Sequence, residues 1–447
     1  MHDAPTIFAL SSGHGRAGVA VIRISGTLTG SILDQMAAPR PQPRYAALRR
    51  IRHPSTAEVL DRALVLWFPG PASETGEDMA ELQVHGGRAV VQGVIAALAG
   101  VSGCRLAEPG EFARRAFENG KLDLTGVEGL ADLIDAETAA QRRQALRQSE
   151  GALYEIYEQW RQDLLAAMAL TEAGIDFSDE ADVAADAFTK AREQIAPIAR
   201  AIAAHLDDGH RGEVVRDGLH VALAGAPNVG KSSLLNALAR RDAAIVSDEP
   251  GTTRDIIEIK LELEGLPVVL SDTAGIRAAT NKVEEEGIKR AFDRMRAADL
   301  VLWLMDASDP NTLPPPAQLS GRPERLLILF NKGDLVYGSA LPASSEGSMI
   351  ISAFKGFGLD ALLARLGSIA LARAGDQEAP ALTQARHRQQ LLRCRAALSS
   401  FLADPIEDVE LRAEDLRRAA QALGRLVGAI GVEDVLAQVF GRFCIGK

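Results

Sequence analysis

The chain has 447 residues, 47% hydrophobic and 24% charged, which is the mix of a globular protein and excludes a disordered or fibrous one. A formal net charge of -11 argues against a chain that coats nucleic acid non-specifically, and no apolar run approaches the ~18 residues a membrane span needs. The three cysteines, Cys104, Cys394 and Cys444, are too widely spaced for a disulfide framework or a CxxC metal knuckle, and they suit a reducing compartment.

At ~150 residues per domain the length predicts about three domains. The N-terminus, "MHDAPTIFALSSGHGRAG", lacks a basic n-region and an apolar core, so a cytoplasmic protein with no membrane association is expected. Residues 1–119 mix the strand-like runs "GVAVIRISG" and "ALVLWFPG" with the helical "RAVVQGVIAALAGV", an α+β unit. Arg40, Arg44, Arg49, Arg50 and Arg52 read either as a local RNA patch or as a solvated face. Residues 120–212 carry apolar residues at three- and four-residue spacing, with Leu130, Leu133 and Ile134, then Leu164, Leu165 and Met168, expected to face one way on long helices. Residues 213–377 alternate short β-rich runs with helices, the pattern of a parallel α/β sheet. Residues 378–447 return to helical periodicity and are expected to join the earlier helices, leaving the α/β unit as an insertion in a discontinuous helical domain.

Within the α/β stretch, "GAPNVGKS" follows a strand and opens a helix, the context in which a phosphate-binding loop is expected. Asn228, Val229, Gly230, Lys231, Ser232 and Ser233 line the phosphates there, with Lys231 reaching the β and γ groups and the Ser232 hydroxyl binding Mg²⁺. "SDEPGTT" follows, with Ser247, Asp248, Glu249, Pro250, Gly251, Thr252 and Thr253 as a switch whose Thr253 completes the Mg²⁺ shell. "DTAG", Asp272, Thr273, Ala274 and Gly275, offers a carboxylate to the Mg²⁺ shell and an amide to the γ-phosphate. "NKGD" supplies Asn331, Lys332 and Asp334, and "SAF" supplies Ser352, Ala353 and Phe354. Asp334 accepts two hydrogen bonds from a guanine edge that adenine lacks, so GTP is expected rather than ATP.

The set is similar to the translation-factor-like class of GTPases, with three departures from the signalling type. Ile276 stands where those carry a water-orienting Gln, and Glu284 in "VEEEGIKRA" is either its replacement or a solvated helix residue. Asn228 suits a monovalent cation placed where an arginine finger otherwise sits. Arg254, Asp255 and Arg277 suit pairing across two copies of the unit, which makes hydrolysis dependent on a homodimer.

Taken with "VIRISG", "PGEFARRAFENGKLDL", "IDFSDE", "GTTRD" and the terminal "CIGK", the whole chain resembles the MnmE/TrmE family of tRNA-modification GTPases. The resemblance implies a multidomain α/β protein with an N-terminal folate-binding and dimerisation domain, a helical domain made of two segments, and an inserted Ras-like P-loop G domain. It also implies an FAD-dependent partner of the MnmG/GidA type and carboxymethylaminomethyl or aminomethyl modification at C5 of the tRNA wobble uridine. The one-carbon donor would be 5-formyl-tetrahydrofolate or a related tetrahydrofolate, and hydrolysis would depend on K⁺. By the same resemblance folate falls on Arg23, Glu81, Lys121 and Lys447, K⁺ on Asn228, Ser247, Glu249 and Thr252, and the catalytic carboxylate on Glu284. "SSGHGRAG" departs from the family's Pro-containing turn. Cys444 reads as a working thiol at the modification site or as part of a structural tail, and poorly as a prenylation box because Gly446 is not aliphatic. The rival readings are a ribosome-assembly switch without covalent chemistry and a self-assembling structural GTPase.

Overall fold

The alternating run "AGVAVIRIS" folds as the central strand of the N-terminal sheet because its two faces meet different surroundings. Ala20, Ile22 and Ile24 face a core, while Arg23 points to the opposite side. The computed structural model describes residues 4–13, 15–176, 181–241, 243–245, 258–272, 292–309, 311–321, 323–336, 347–376, 379–403, 409–431, 433–443 and 445–446. The chain divides into two units, one made of Met1–Ala131, Gln148–Ile195 and Ala396–Lys447, the other of Asp132–Arg147 and Ala196–Arg395.

In the first unit β1 (Thr6–Leu10), β2 (Ala17–Ser25), β3 (Ala47–Arg52), β4 (Val59–Phe68), β5 (Met79–Gly86) and β6 (Cys104–Leu106) form one sheet in the order β3-β4-β5-β2-β1-β6. All neighbours are antiparallel except β1 and β6. Helices Thr29–Met36 and Arg88–Ala99 cover one face over Ile22, Ile24, Val65, Leu82 and Val84. Arg40 pairs with Asp34 and lies 5.2 Å over the Trp67 ring, Arg44 donates to the Ala72 carbonyl and Arg49 to that of Pro39. These three arginines are thus engaged within the chain.

Helix Ala152–Asp176 packs along Val409–Val427 and buries Leu153, Tyr157, Leu164, Ala167 and Thr171. The spacing of four, seven, three and four residues makes one narrow seam. Leu165 lies one residue, about 100°, off that seam and is 37% exposed, so Leu164 and Leu165 do not face the same way as expected. In helix Leu124–Ile134 the buried apolar side chains are Leu124, Val127 and Ala131, while Leu130, Leu133 and Ile134 are half-buried. The chain's end returns to its beginning: helix Glu433–Phe440 packs on helix Glu111–Glu118, Ile445 bridges Pro109, and the Ser11 hydroxyl donates to the Gly446 carbonyl at 2.7 Å.

The second unit is built on β7 (Leu219–Gly225), β8 (Glu258–Leu263), β9 (Leu266–Asp272), β10 (Leu300–Asp306), β11 (Leu326–Asn331) and β12 (Ser348–Ile350), in the order β12-β11-β10-β7-β9-β8. Only β8 runs antiparallel to its neighbour. Helices Lys231–Ala239 and Leu359–Ala374 bury Leu234, Leu235, Leu238, Leu359, Leu362 and Leu366 against Leu223, Leu270, Leu302 and Leu329. Fully burying a leucine contributes roughly 1.5–3 kcal/mol, so this layer fixes the sheet rigidly. Strand order reverses between β7 and β10, and a crevice at such a switch point, beyond the strands' carboxyl ends, is where α/β sheets hold ligands. Among the described residues no helix is long and apolar enough to cross a membrane.

Candidate nucleotide site and N-terminal anion site

Three backbone positions shape the expected phosphate loop. Gly225 ends β7 at φ 144°, where a Cβ would lie 2.4 Å from the Leu304 carbonyl oxygen. Asn228 (φ 62°) and Gly230 (φ 98°) take left-handed conformations, which turn successive N–H groups inward as an anion nest. Lys231 then starts the helix, whose free N-terminal N–H groups and dipole favour phosphate. The Lys231 ammonium is buried and donates to the carbonyls of Gly225 (2.9 Å) and Ala226 (2.8 Å). Burial pushes it below the ordinary lysine range, with Asp272 opposing. A γ-phosphate would replace those carbonyls with a full anionic partner. Ser232 Oγ donates to Asp272 Oδ2 at 3.4 Å, so the hydroxyl and the carboxylate that suit a Mg²⁺ shell stand side by side. Ser233 is exposed and Val229 is buried.

The loops expected to read the base close on the same place. Asn331 ends β11, is 3% exposed, donates from Nδ2 to the Val229 carbonyl at 2.8 Å and accepts from Ala353 N–H at 3.0 Å. One amide therefore ties the phosphate loop to the "SAF" loop. Ser352 Oγ donates to Asp334 Oδ1 at 2.5 Å, holding the carboxylate in place. Lys332 adopts φ 63° and its Nζ reaches Asp306 Oδ2 at 2.5 Å. Burial pushes the Asp306 carboxyl up, but hydrogen bonds from Lys332 and Ser308 outweigh it and hold the group below the usual carboxylate range. The sequence reading missed Asp306; its signal was a lone carboxylate closing the apolar run "LVLWLMD". Phe354 is 84% exposed.

In the first unit the outward face of β2 and β5 pairs Arg23 with Glu81 in register. Arg23 donates to Glu81 Oε1 from Nε (3.3 Å) and Nη2 (3.0 Å), and its Nη1 reaches Glu74 at 3.1 Å. Glu74 was not foreseen, because a loop residue 51 positions away gives no local sign of the contact. Beneath them Arg115 bridges Glu77 (2.8 Å) and Glu111 (3.1 Å), and Arg105 also clasps Glu111. Burial pushes Glu111 up, yet the hydrogen bonds from Arg105, the Glu108 N–H and Arg115 keep it below the usual range. Lys121 is exposed and lines a cleft of about 590 Å³ with Asp123, Tyr154, Glu155 and Glu158, a lining that does not include Arg23 or Glu81. Cys104 is half-buried and Cys394 fully buried, both free thiols.

Ser247, Asp248, Glu249, Pro250, Gly251, Thr252, Thr253, Arg254, Asp255, Thr273, Ala274, Gly275, Ile276, Arg277, Glu284, Cys444 and Lys447 lie outside the described residues.

The sequence matches two family profiles, the TrmE N-terminus over residues 6–121 and the MnmE helical domain over residues 124–444. A curated relative from Parvibaculum lavamentivorans, named tRNA modification GTPase MnmE, is 52% identical over 445 residues and covers 99% of this chain and 100% of its own. The protein of the same name from Rhodospirillum rubrum is 50% identical over 456 residues, covering 99% of each. Among solved structures, the G domain of the T. maritima FeoB iron transporter is 25% identical with a TM-score of 0.24, covering 34% of this chain and 99% of its own.

Proposed function

The chain belongs to the MnmE family of tRNA modification GTPases, and from that premise we propose that it binds and hydrolyses GTP to drive modification of the tRNA wobble uridine. The observation that carries the GTP reading is the Asn331 amide, which locks the phosphate loop at Val229 to the base pocket at Ala353 while Ser352 presents Asp334. Such a pocket would discriminate against a base lacking guanine's donors, since Asp334 would then forgo the two hydrogen bonds a guanine edge offers it.

In this reading Lys231 binds the β and γ phosphates, and Ser232 and Thr253 would hold Mg²⁺, which would supply positive charge to the phosphates. The 3.4 Å approach of Ser232 to Asp272 supports that donor set. Asn228, with Ser247, Glu249 and Thr252, would hold K⁺. Glu284 orients the attacking water, and Arg254, Asp255 and Arg277 pair two G domains in a homodimer. By the family resemblance Arg23, Glu81, Lys121 and Lys447 would bind a tetrahydrofolate, which would supply a one-carbon unit, although the cleft that Lys121 lines does not include Arg23 or Glu81. The docking of Ile445 and Gly446 on Pro109 and Ser11 supports a tail held at the N-terminal domain. Cys444 would act there as a thiol. An FAD-dependent MnmG-type protein is the expected partner and the cytoplasm the expected site of action. We also propose the domain division 1–119, 120–212, 213–377 and 378–447.

The test is mass spectrometry of wobble nucleosides from cells lacking the gene, complemented with wild type or Cys444→Ser, with GTP hydrolysis by the purified proteins measured in K⁺ and in Na⁺. Loss of the modified uridine on deletion, restored by wild type, is expected, with faster hydrolysis in K⁺. An unchanged nucleoside profile on deletion would overturn the tRNA reading, and equal rates in both salts would overturn the K⁺ assignment.

A further inference from the structure

Arg23 is not a free cation. Its Nε and Nη2 are taken by Glu81 and its Nη1 by Glu74, so one guanidinium faces two carboxylates and the trio carries a net negative charge. The two carboxylates are not equivalent. Glu81 sits in register on the neighbouring strand with its side chain 18% exposed, while the Glu74 side chain is 47% exposed. The Phe112 ring centroid lies 5.8 Å from the Arg23 guanidinium carbon, within cation–π reach.

The loop that carries Glu74 is itself pinned. Thr75 Oγ1 and Ser25 Oγ are 2.8 Å apart, Asn119 donates to the Thr75 carbonyl at 2.8 Å, and Ser73 Oγ donates to the Glu77 carbonyl. Gly76 turns at φ 79°, where a Cβ would come 2.8 Å from Asn119 Cβ. The Glu74 side chain stands out from this pinned backbone, 47% exposed.

We infer that Glu74 is an exchangeable latch on Arg23: it occupies the Nη1 edge until the carboxylate of an anionic ligand displaces it, while Glu81 stays and orients the guanidinium. This rests on the folate reading of the site and adds to it a residue that sets the preference between anionic and uncharged ligands. A half-exposed ion pair is weak enough to exchange, because water screens it and competes for both of its groups. The ligand carboxylate takes over the same N–H donor, so no hydrogen bond is lost in the exchange.

The experiment uses the full chain, wild type and Glu74→Gln, titrated calorimetrically with 5-formyl-tetrahydrofolate and with tetrahydrobiopterin, which lacks the glutamate. The expected result is a gain of roughly two- to fivefold in affinity for the folate and none for the pterin. An unchanged or weaker folate affinity in the variant overturns the latch. A second readout needs no folate: Arg23 modification by phenylglyoxal, followed by peptide mass spectrometry, should speed up in Glu74→Gln. If wild type binds no folate, the folate reading fails and the latch is judged on this rate alone, a rise supporting it and an unchanged rate overturning it.

Discussion

Replacing Gly230 by Ala places a Cβ 2.3 Å from Asn331 Nδ2 at a backbone φ of 98°. The left-handed conformation alone costs an L-residue roughly 1–2 kcal/mol. Asn331 cannot move aside without giving up its bonds to the Val229 carbonyl and the Ala353 N–H, at about 1 kcal/mol each and more if the buried groups stay unpaired. The sum is about 3–5 kcal/mol against the loop conformation described here, and a loop that relaxes to escape it loses GTP affinity by as much as roughly 10²- to nearly 10⁴-fold. Equilibrium titration with a fluorescent GTP analogue measures it, and a double-mutant cycle with Asn331→Ala separates the parts. With the amide gone the clash is gone, so Gly230→Ala in that background should cost only the backbone component and the two changes should be strongly non-additive. A loss below about tenfold in the single variant, or simple additivity in the cycle, would refute the claim that one amide couples the two loops.

Other outcomes follow from the same geometry. Lys231→Met should abolish measurable GTP binding, because the buried methyl-terminated chain fills the space but cannot replace the ammonium that Gly225 and Ala226 now position; a variant that still binds at wild-type affinity would show that the helix N-terminus suffices. Burial pushes the Cys394 thiol up to about 12, so at pH 8 it should resist iodoacetamide in the folded protein and react only after urea unfolding, read by peptide mapping. His205 is held at about 4, first by burial and then by Arg211, His387 and Arg388, with Asp208 opposing. The unfolded chain, with an ordinary histidine near 6.5, binds the extra proton between those values. Stability should therefore fall as pH drops from about 6.5 towards 4, by roughly 3 kcal/mol for this group, and urea midpoints of His205→Gln should show a shallower decline. Gly446→Ala, whose Cβ would lie 2.2 Å from the Leu10 carbonyl oxygen at φ 100°, should release the tail and raise hydrogen exchange around Ser11; unchanged protection there would refute the docking.

The strand, turn and helix around the expected phosphate loop were legible because their parts are local. "GAPNVGKS" carries its own turn glycines and helix start, and apolar runs such as "LVLWLMD" can be read as buried strands without knowing their neighbours. The helical seam was legible only in its period. Leu164 and Leu165 have the same side chain, and which one is buried depends on where helix Val409–Val427 lies, some 245 residues on in the chain, as Arg417 to Glu172 spans.

By itself the sequence determined the local structure each short segment forms, since turns, helix starts and strands need residues within a few positions of one another. Only the tertiary structure decided which groups neutralise one another. Arg23 meets Glu81 at 58 positions and Glu74 at 51, Asn331 meets Val229 at 102, and Ser11 meets Gly446 at 435. A charge or an amide reads the same in a sequence whatever stands across from it, and its free energy in the folded state is set by that partner and by how much water the fold leaves between them.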